Sequence, residues 1–262
     1  MFRSLYILVS AAIFLLFVIT GSSSAFEEEI VAAWLMDEGS GKTVGDFMGN
    51  YEDGEINGKA EWVDGKFGKA LKFDGSGGHV LIPFSPKAQV LNESDFTFAL
   101  WFNTEVLPTE RGIWIAGFQQ MDANGTGRTW MGLQDATDVP YSALGNIRPI
   151  GALPEVGQWS HFAVVVEEAG AGDNLRLYSD GILVTEEALS IETSEGDYLI
   201  GCHKNMSAEN SWEGIIDEVV IISKALSEEE IKQLINEGVS GILAVESRGK
   251  LMTTWAYLKG CR

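Results

Sequence analysis

The sequence predicts an all-β protein, an antiparallel sandwich of two sheets with one short C-terminal helix. Three observations carry that prediction. Apolar residues recur with period two in short runs; Gly, Asn and Asp separate the runs; one late stretch alone combines a helical apolar stripe with marked ends.

Residues 30–35, 70–73 and 79–82 open the strand set as short β-rich runs between turns. Residues 96–103 alternate cleanly, with Phe96, Phe98, Leu100 and Phe102 on one face and Thr97, Ala99, Trp101 and Asn103 on the other. The first face is assigned to the core. Residues 113–118 and 129–133 lie on either side of a polar loop, and residues 159–166 form a mostly apolar, β-branched run that suits a strand buried on both faces. Residues 175–178 and 182–184 enclose Ser179-Asp180-Gly181, a tight-hairpin signature because Gly accepts positive φ. Residues 198–202 and 214–222 complete a set whose number and spacing read as a sandwich. In the helix, Ser227 and Glu230 form a capping box, Leu226 and Ile231 take the staple positions, and Ile231, Leu234 and Ile235 make the apolar stripe. Gly238 is placed to end it in a left-handed conformation.

The ends of the chain stand apart from this pattern. Arg3, an apolar run and the small residues Ser23 and Ala25 read as a signal peptide spanning 1–25, cleaved after Ala25; the competing reading is a retained anchor. The body is then 26–238 of a secreted or cell-surface protein with no membrane span in the mature chain. Residues 239–262 form a tail in which Arg248, Lys250, Lys259 and Arg262 face Glu246 alone. It reads as a loosely ordered segment, or one that docks as an extra strand or engages a partner.

Eighteen Lys and Arg against 38 Asp and Glu give a formal charge of −20, which argues against a nucleic-acid partner. Two cysteines, Cys202 and Cys261, exclude a multi-disulfide scaffold and leave both a single bridge and two free thiols open. Asn92, Asn124 and Asn205 have the spacing of N-glycosylation acceptors.

Several motifs fit one family. Residues 31–41, 46–50 and 65–75, then Trp159-Ser160-His161-Phe162-Ala163, Leu177-Tyr178-Ser179-Asp180-Gly181 and Gly214-Ile215-Ile216-Asp217-Glu218-Val219, resemble concanavalin A-like, laminin G-type lectin domains over residues 30–237. The resemblance implies a jelly-roll sandwich, typically a carbohydrate-binding or adhesive module, often with Ca2+ at one rim. Asp37, Asn50 and Asp217 are the ligands it suggests, with Asp46 and Asp53 in reserve. The same aspartates also suit turn and strand-end hydrogen bonding, so both readings stay open.

Relatives of this fold that cleave β-glucans carry Glu-x-Asp-x-x-Glu on one strand. The nearest matches, at Glu93-Ser94-Asp95 and Glu195-Gly196-Asp197, lack the final Glu, and a retaining mechanism needs a close carboxylate pair. His79, His161 and His203 have no metal-ligand spacing, and no Gly-x-Ser-x-Gly elbow occurs. The expectation is a non-catalytic protein. Its partner is a glycan or glycoprotein, with Trp101, Arg128 and Trp130 as the expected contacts; the alternative is adhesion to a cell-surface protein through the sandwich or the tail.

Overall fold

The computed structural model describes residues 26–84, 95–107, 115–120, 129–133, 140–142, 154–168, 173–189, 196–203 and 206–259. Their fifteen strands form two antiparallel sheets packed as a jelly-roll sandwich. The first sheet runs β13 (Ile182–Leu189), β12 (Asp173–Ser179), β11 (Ser160–Glu168), β7 (Phe96–Thr104), β15 (Glu213–Ile222), β5 (Lys69–Asp74) and β4 (Ala60–Asp64), with β1 (Ile30–Trp34) also paired to β15. The second runs β10 (Pro140–Ser142), β9 (Thr129–Leu133), β8 (Ile115–Gln120), β14 (Tyr198–Ile200), β6 (His79–Ile82), β3 (Gly54–Asn57) and β2 (Thr43–Val44).

The alternation in β7 does what its sequence requires. Phe96, Phe98, Leu100 and Phe102 enter the space between the sheets and meet Phe162, Val164 and Leu177 from their own sheet. Phe118, Met131, Tyr198 and Ile82 close the space from the other side. Removing one such ring, for example Phe98→Ala, costs about 3–5 kcal/mol. The short strands β2, β3, β4 and β10 are absent from the sequence-based set. Edge strands such as β4, whose residues are exposed or half-buried, carry no clear apolar face.

The outer face of the first sheet is covered as well. Ala33, Ala99, Ala163, Val165, Tyr178, Val220 and Ile222 lie beneath Phe26, Leu226, Ile231, Leu234, Val239 and Ile242. That second core is why β11 reads as apolar on both faces.

Helix α1 (Glu228–Lys259) begins with the expected capping box: Glu230 N donates to Ser227 Oγ at 3.3 Å and Ser227 N donates to Glu230 Oε2 at 3.0 Å. Such a cap contributes about 1 kcal/mol. Gly238 interrupts the helix at φ 66°, as its sequence suggests, but the chain then resumes helical backbone instead of leaving as a loose tail. Val239 and Ile242 are buried in the outer core. The turn is possible because Glu218 Oε2 accepts the Val239 amide at 2.5 Å, satisfying a donor that the new helix start would otherwise orphan. Among the described residues, no helix is long and apolar enough to cross a membrane.

Candidate functional site

Strand β15 has two partners along one edge. β5 pairs with Glu213 to Ile216 and β1 with Val219 to Ile222, so Asp217 and Glu218 fall in the gap between them. The register against β7 slips at the same place, and Glu218 adopts φ 50°. The turn of residues 65–69 fills this gap. Asp217 Oδ2 accepts the amides of Lys66 at 2.8 Å and Phe67 at 3.1 Å, while Asp37 Oδ1 accepts that of Lys69 at 2.7 Å. The approach is close enough that a Cβ at Gly68, where φ is 51°, would overlap Asp37 Oδ1. Only glycine fits there.

Asp217 is wholly buried and its Oδ1 has no hydrogen-bond partner. Burial pushes its pKa up to about 8; the Phe67 and Lys66 amides pull it down and the Glu218 charge raises it further. The Glu218 amide also lowers it weakly, from a position outside hydrogen-bond geometry. Glu218 itself is pushed up to about 7, mainly by burial, against the pull of the Val239 amide and with the Asp37 charge raising it. Raised acids can mark catalytic sites, but a catalytic acid must reach its substrate, and these two are enclosed.

Trp101 stands next to Asp217 in register, and His161 next to Trp101. The indole was expected to offer a ligand platform. It is instead 4% exposed, with Phe67 and His161 packed edge-on at 6.4 and 5.1 Å and the Lys66 ammonium 4.2 Å from its ring. The outer face of β7 is an interior, so no open indole face remains for a sugar. His161 is buried too; desolvation, with Lys66 nearby, pushes its pKa down to about 3 and keeps the ring neutral. Its amide donates to Asp180 Oδ1 at 2.7 Å.

A second turn is organised by Asp46. Its Oδ1 accepts the amides of Ala33 and Met48 at 2.8 and 3.1 Å, and its Oδ2 those of Asn50 and Tyr51 at 2.8 and 2.9 Å. Asn50 is committed elsewhere, donating Nδ2–H to Val31 O at 2.9 Å. The structure therefore brings Asp37 and Asp217 to one turn and sets Asn50 on another. Among the described residues, no three His, Cys, Asp or Glu side chains converge as a metal site. The three residues do not fit calcium as one ligand set: Asp37 Oδ1 and Asp217 Oδ2 already accept backbone amides, Asp217 Oδ1 is buried alone, and Asn50 is held on a separate turn.

Beside the Asp46 turn opens a groove of about 320 Å³ lined by Leu35, Asp37, Glu38, Gly45, Asp46 and Phe47. Phe47 is 60% exposed, and Glu38 Oε1 accepts the Gly45 amide at 2.8 Å. Carboxylates offer acceptors to ligand hydroxyls and an exposed ring offers an apolar face, the pairing a polar organic ligand needs. The sequence held a trace of this: an isolated aromatic inside an acidic, glycine-containing loop. Trp130 lies in β9 paired with Gln119, with its side chain outside the described residues. Arg128, Asn92, Asn124, Asn205 and Cys261 lie outside them altogether, as do Glu93 and Glu195. Asp197 holds the Phe84 amide at 2.7 Å.

Solved structures share the architecture. Domain 4 of AbnA, a GH43 extracellular arabinanase from Geobacillus stearothermophilus solved with arabinotriose, matches with TM-score 0.57 and 20% identity over 79% of this chain and 98% of its own. The binding domain of Paraclostridial Mosquitocidal Protein 1 matches at 0.61 and 16% over 80% of this chain and 52% of its own. Trypanosoma rangeli sialidase, solved with the inhibitor DANA, matches at 0.61 and 16% over 78% of this chain and 32% of its own, so the chain spans about a third of that enzyme. At these identities the likeness is one of fold. A search of curated protein sequences finds no match. A family model for the concanavalin A-like lectin/glucanases superfamily matches residues 74–232, more than half of the chain. With the jelly roll completed by strands N-terminal to that match, the chain belongs to the concanavalin A-like lectin/glucanases superfamily.

Proposed function

We propose that this is a secreted, non-catalytic carbohydrate-binding module that takes an uncharged glycan in the groove beside Phe47. The observation that carries the reading is the exposed phenyl ring set next to the Asp37 and Glu38 carboxylates in an open groove. The ring packs on the apolar face of a sugar while the carboxylates accept its hydroxyl hydrogens. A chain with formal charge −20 repels anionic glycans, which favours neutral ones. The arabinotriose-bound arabinanase domain, similar in fold over nearly its whole length, supports a sugar-binding role for this architecture. The non-catalytic part of the reading rests on Asp217 and Glu218, acids with raised pKa that are buried beneath the 65–69 turn and the helix break.

The test is a glycan array with residues 26–262, followed by calorimetry on the best ligand. Phe47→Ala is expected to weaken binding at least tenfold without changing the melting temperature. Unchanged affinity would remove the groove as the site, and a blank array would put adhesion to a protein partner ahead of sugar binding. Release of reducing ends from any array-positive polysaccharide would overturn the non-catalytic reading.

A further inference from the structure

We infer that the rim formed by the opening and closing motifs is held by a carboxylate–amide clamp in the place where the resemblance implied calcium, so that the stability of this rim does not depend on the ion. The donor set is the reason. A calcium site needs six to eight oxygens aimed at one point. Here one oxygen of each acid is aimed at nitrogen, Asp217 Oδ2 at the amides of Lys66 and Phe67 and Asp37 Oδ1 at that of Lys69; Asp217 Oδ1 is left buried without a partner, and among the described residues no group of three His, Cys, Asp or Glu side chains converges there to complete a ligand set. A cation drawn in between them would have to compete with three N–H dipoles already seated at 2.7–3.1 Å.

The glycines show that this contact is built in. Gly65 and Gly68 bring the turn's backbone against the two carboxylates, and a Cβ at either position would overlap the oxygen it faces. The positive charges of the corner are side chains: the Lys66 ammonium lies over the Trp101 ring, and Lys69 Nζ pairs with Asp64 Oδ1 at 2.6 Å. The clamp also ties together four parts of the chain that an ion would otherwise tie. Asp37 follows β1, the turn precedes β5, Asp217 sits in the gap of β15, and Phe67 lies against Gly238 at the helix break. Asn50, the third residue of the expected set, is engaged with Val31 O in a different turn.

The experiment is thermal unfolding of residues 26–262 in about 5 mM CaCl2, above the dissociation constants of weak extracellular sites, and in excess chelator, with Asp37→Asn, Asp37→Ala and Asp217→Asn alongside. An amide keeps a carbonyl oxygen for the turn but removes the negative charge that a calcium site depends on. The clamp predicts that the parent and both Asn variants respond to calcium alike or not at all, with Asp37→Asn melting close to the parent and Asp37→Ala several degrees lower. A calcium-induced rise that either Asn variant abolishes overturns the inference. A rise that both keep supports the clamp at this rim and puts the ion elsewhere. Since the readout is unfolding, the result stands whether or not a glycan is ever found.

Discussion

Asp46 and Asp217 solve the same problem with different completeness. Each is a buried aspartate that organises a turn by accepting backbone amides across a long stretch of chain. Asp46 uses both oxygens and four amides, whereas Asp217 uses Oδ2 for two and leaves Oδ1 unpartnered. The difference teaches what a buried carboxylate needs. Two amides do not offset the loss of water around Asp217, so its proton is held up to about pH 8. The Asp46 turn borders the open groove, whereas the Asp217 carboxylate is enclosed in the sheet gap and only Asp37, held by the same 65–69 turn, reaches the groove.

The comparison breaks most severely at Asp46. Asp46→Ala strips the acceptor from four amides at once, two of them buried and two part-buried, and with each buried orphan costing about 1–3 kcal/mol the variant is expected to lose about 4 kcal/mol, measured by urea unfolding. If it melts with the parent, the four contacts do not hold the turn. Next comes Gly68→Ala, which drives a methyl into Asp37 Oδ1 at a positive φ; about 2–3 kcal/mol is expected, with Asp37→Ala in the same chain recovering part of it. A fully additive pair would show that the two residues do not meet.

The Asp217 half of the comparison also depends on pH. Because Asp217 is raised from 3.8 to about 8 in the folded chain, the native state binds the extra proton between those values. Its contribution to stability is complete below about pH 4 and is lost as pH rises through about 8. Glu218, raised to about 7, adds to the same slope. Asp217→Asn keeps an acceptor for Lys66 and Phe67 but cannot ionise, so unfolding free energies at pH 5 and pH 9 should differ less than in the parent, with the residual slope belonging to Glu218. An unaltered slope would mean that Asp217 does not carry the proton.

Much of the fold was legible because its signals are local. Alternation in β7, the Asp180-Gly181 hairpin and the Ser227–Glu230 box each depend on residues within a few positions of one another. The groove was half legible: Asp37 and Asp46 stood out as carboxylates in the opening motif, but Phe47 looked like one more apolar residue. Nothing near Phe47 in sequence says whether a neighbouring segment covers it, and exposure follows from what is packed on top.

The sequence by itself determined the strand periods, the turns between them and the single capped helix start, since backbone preference and side-chain alternation act over a few residues. Tertiary structure alone decided which second faces are buried and what the acids do. Trp101 became interior because the 65–69 turn lies over it, and Asp217 became a clamp because amides 150 residues away fall into the gap between β5 and β1. An alternating strand declares that it has two faces; only the packed molecule supplies what covers the second.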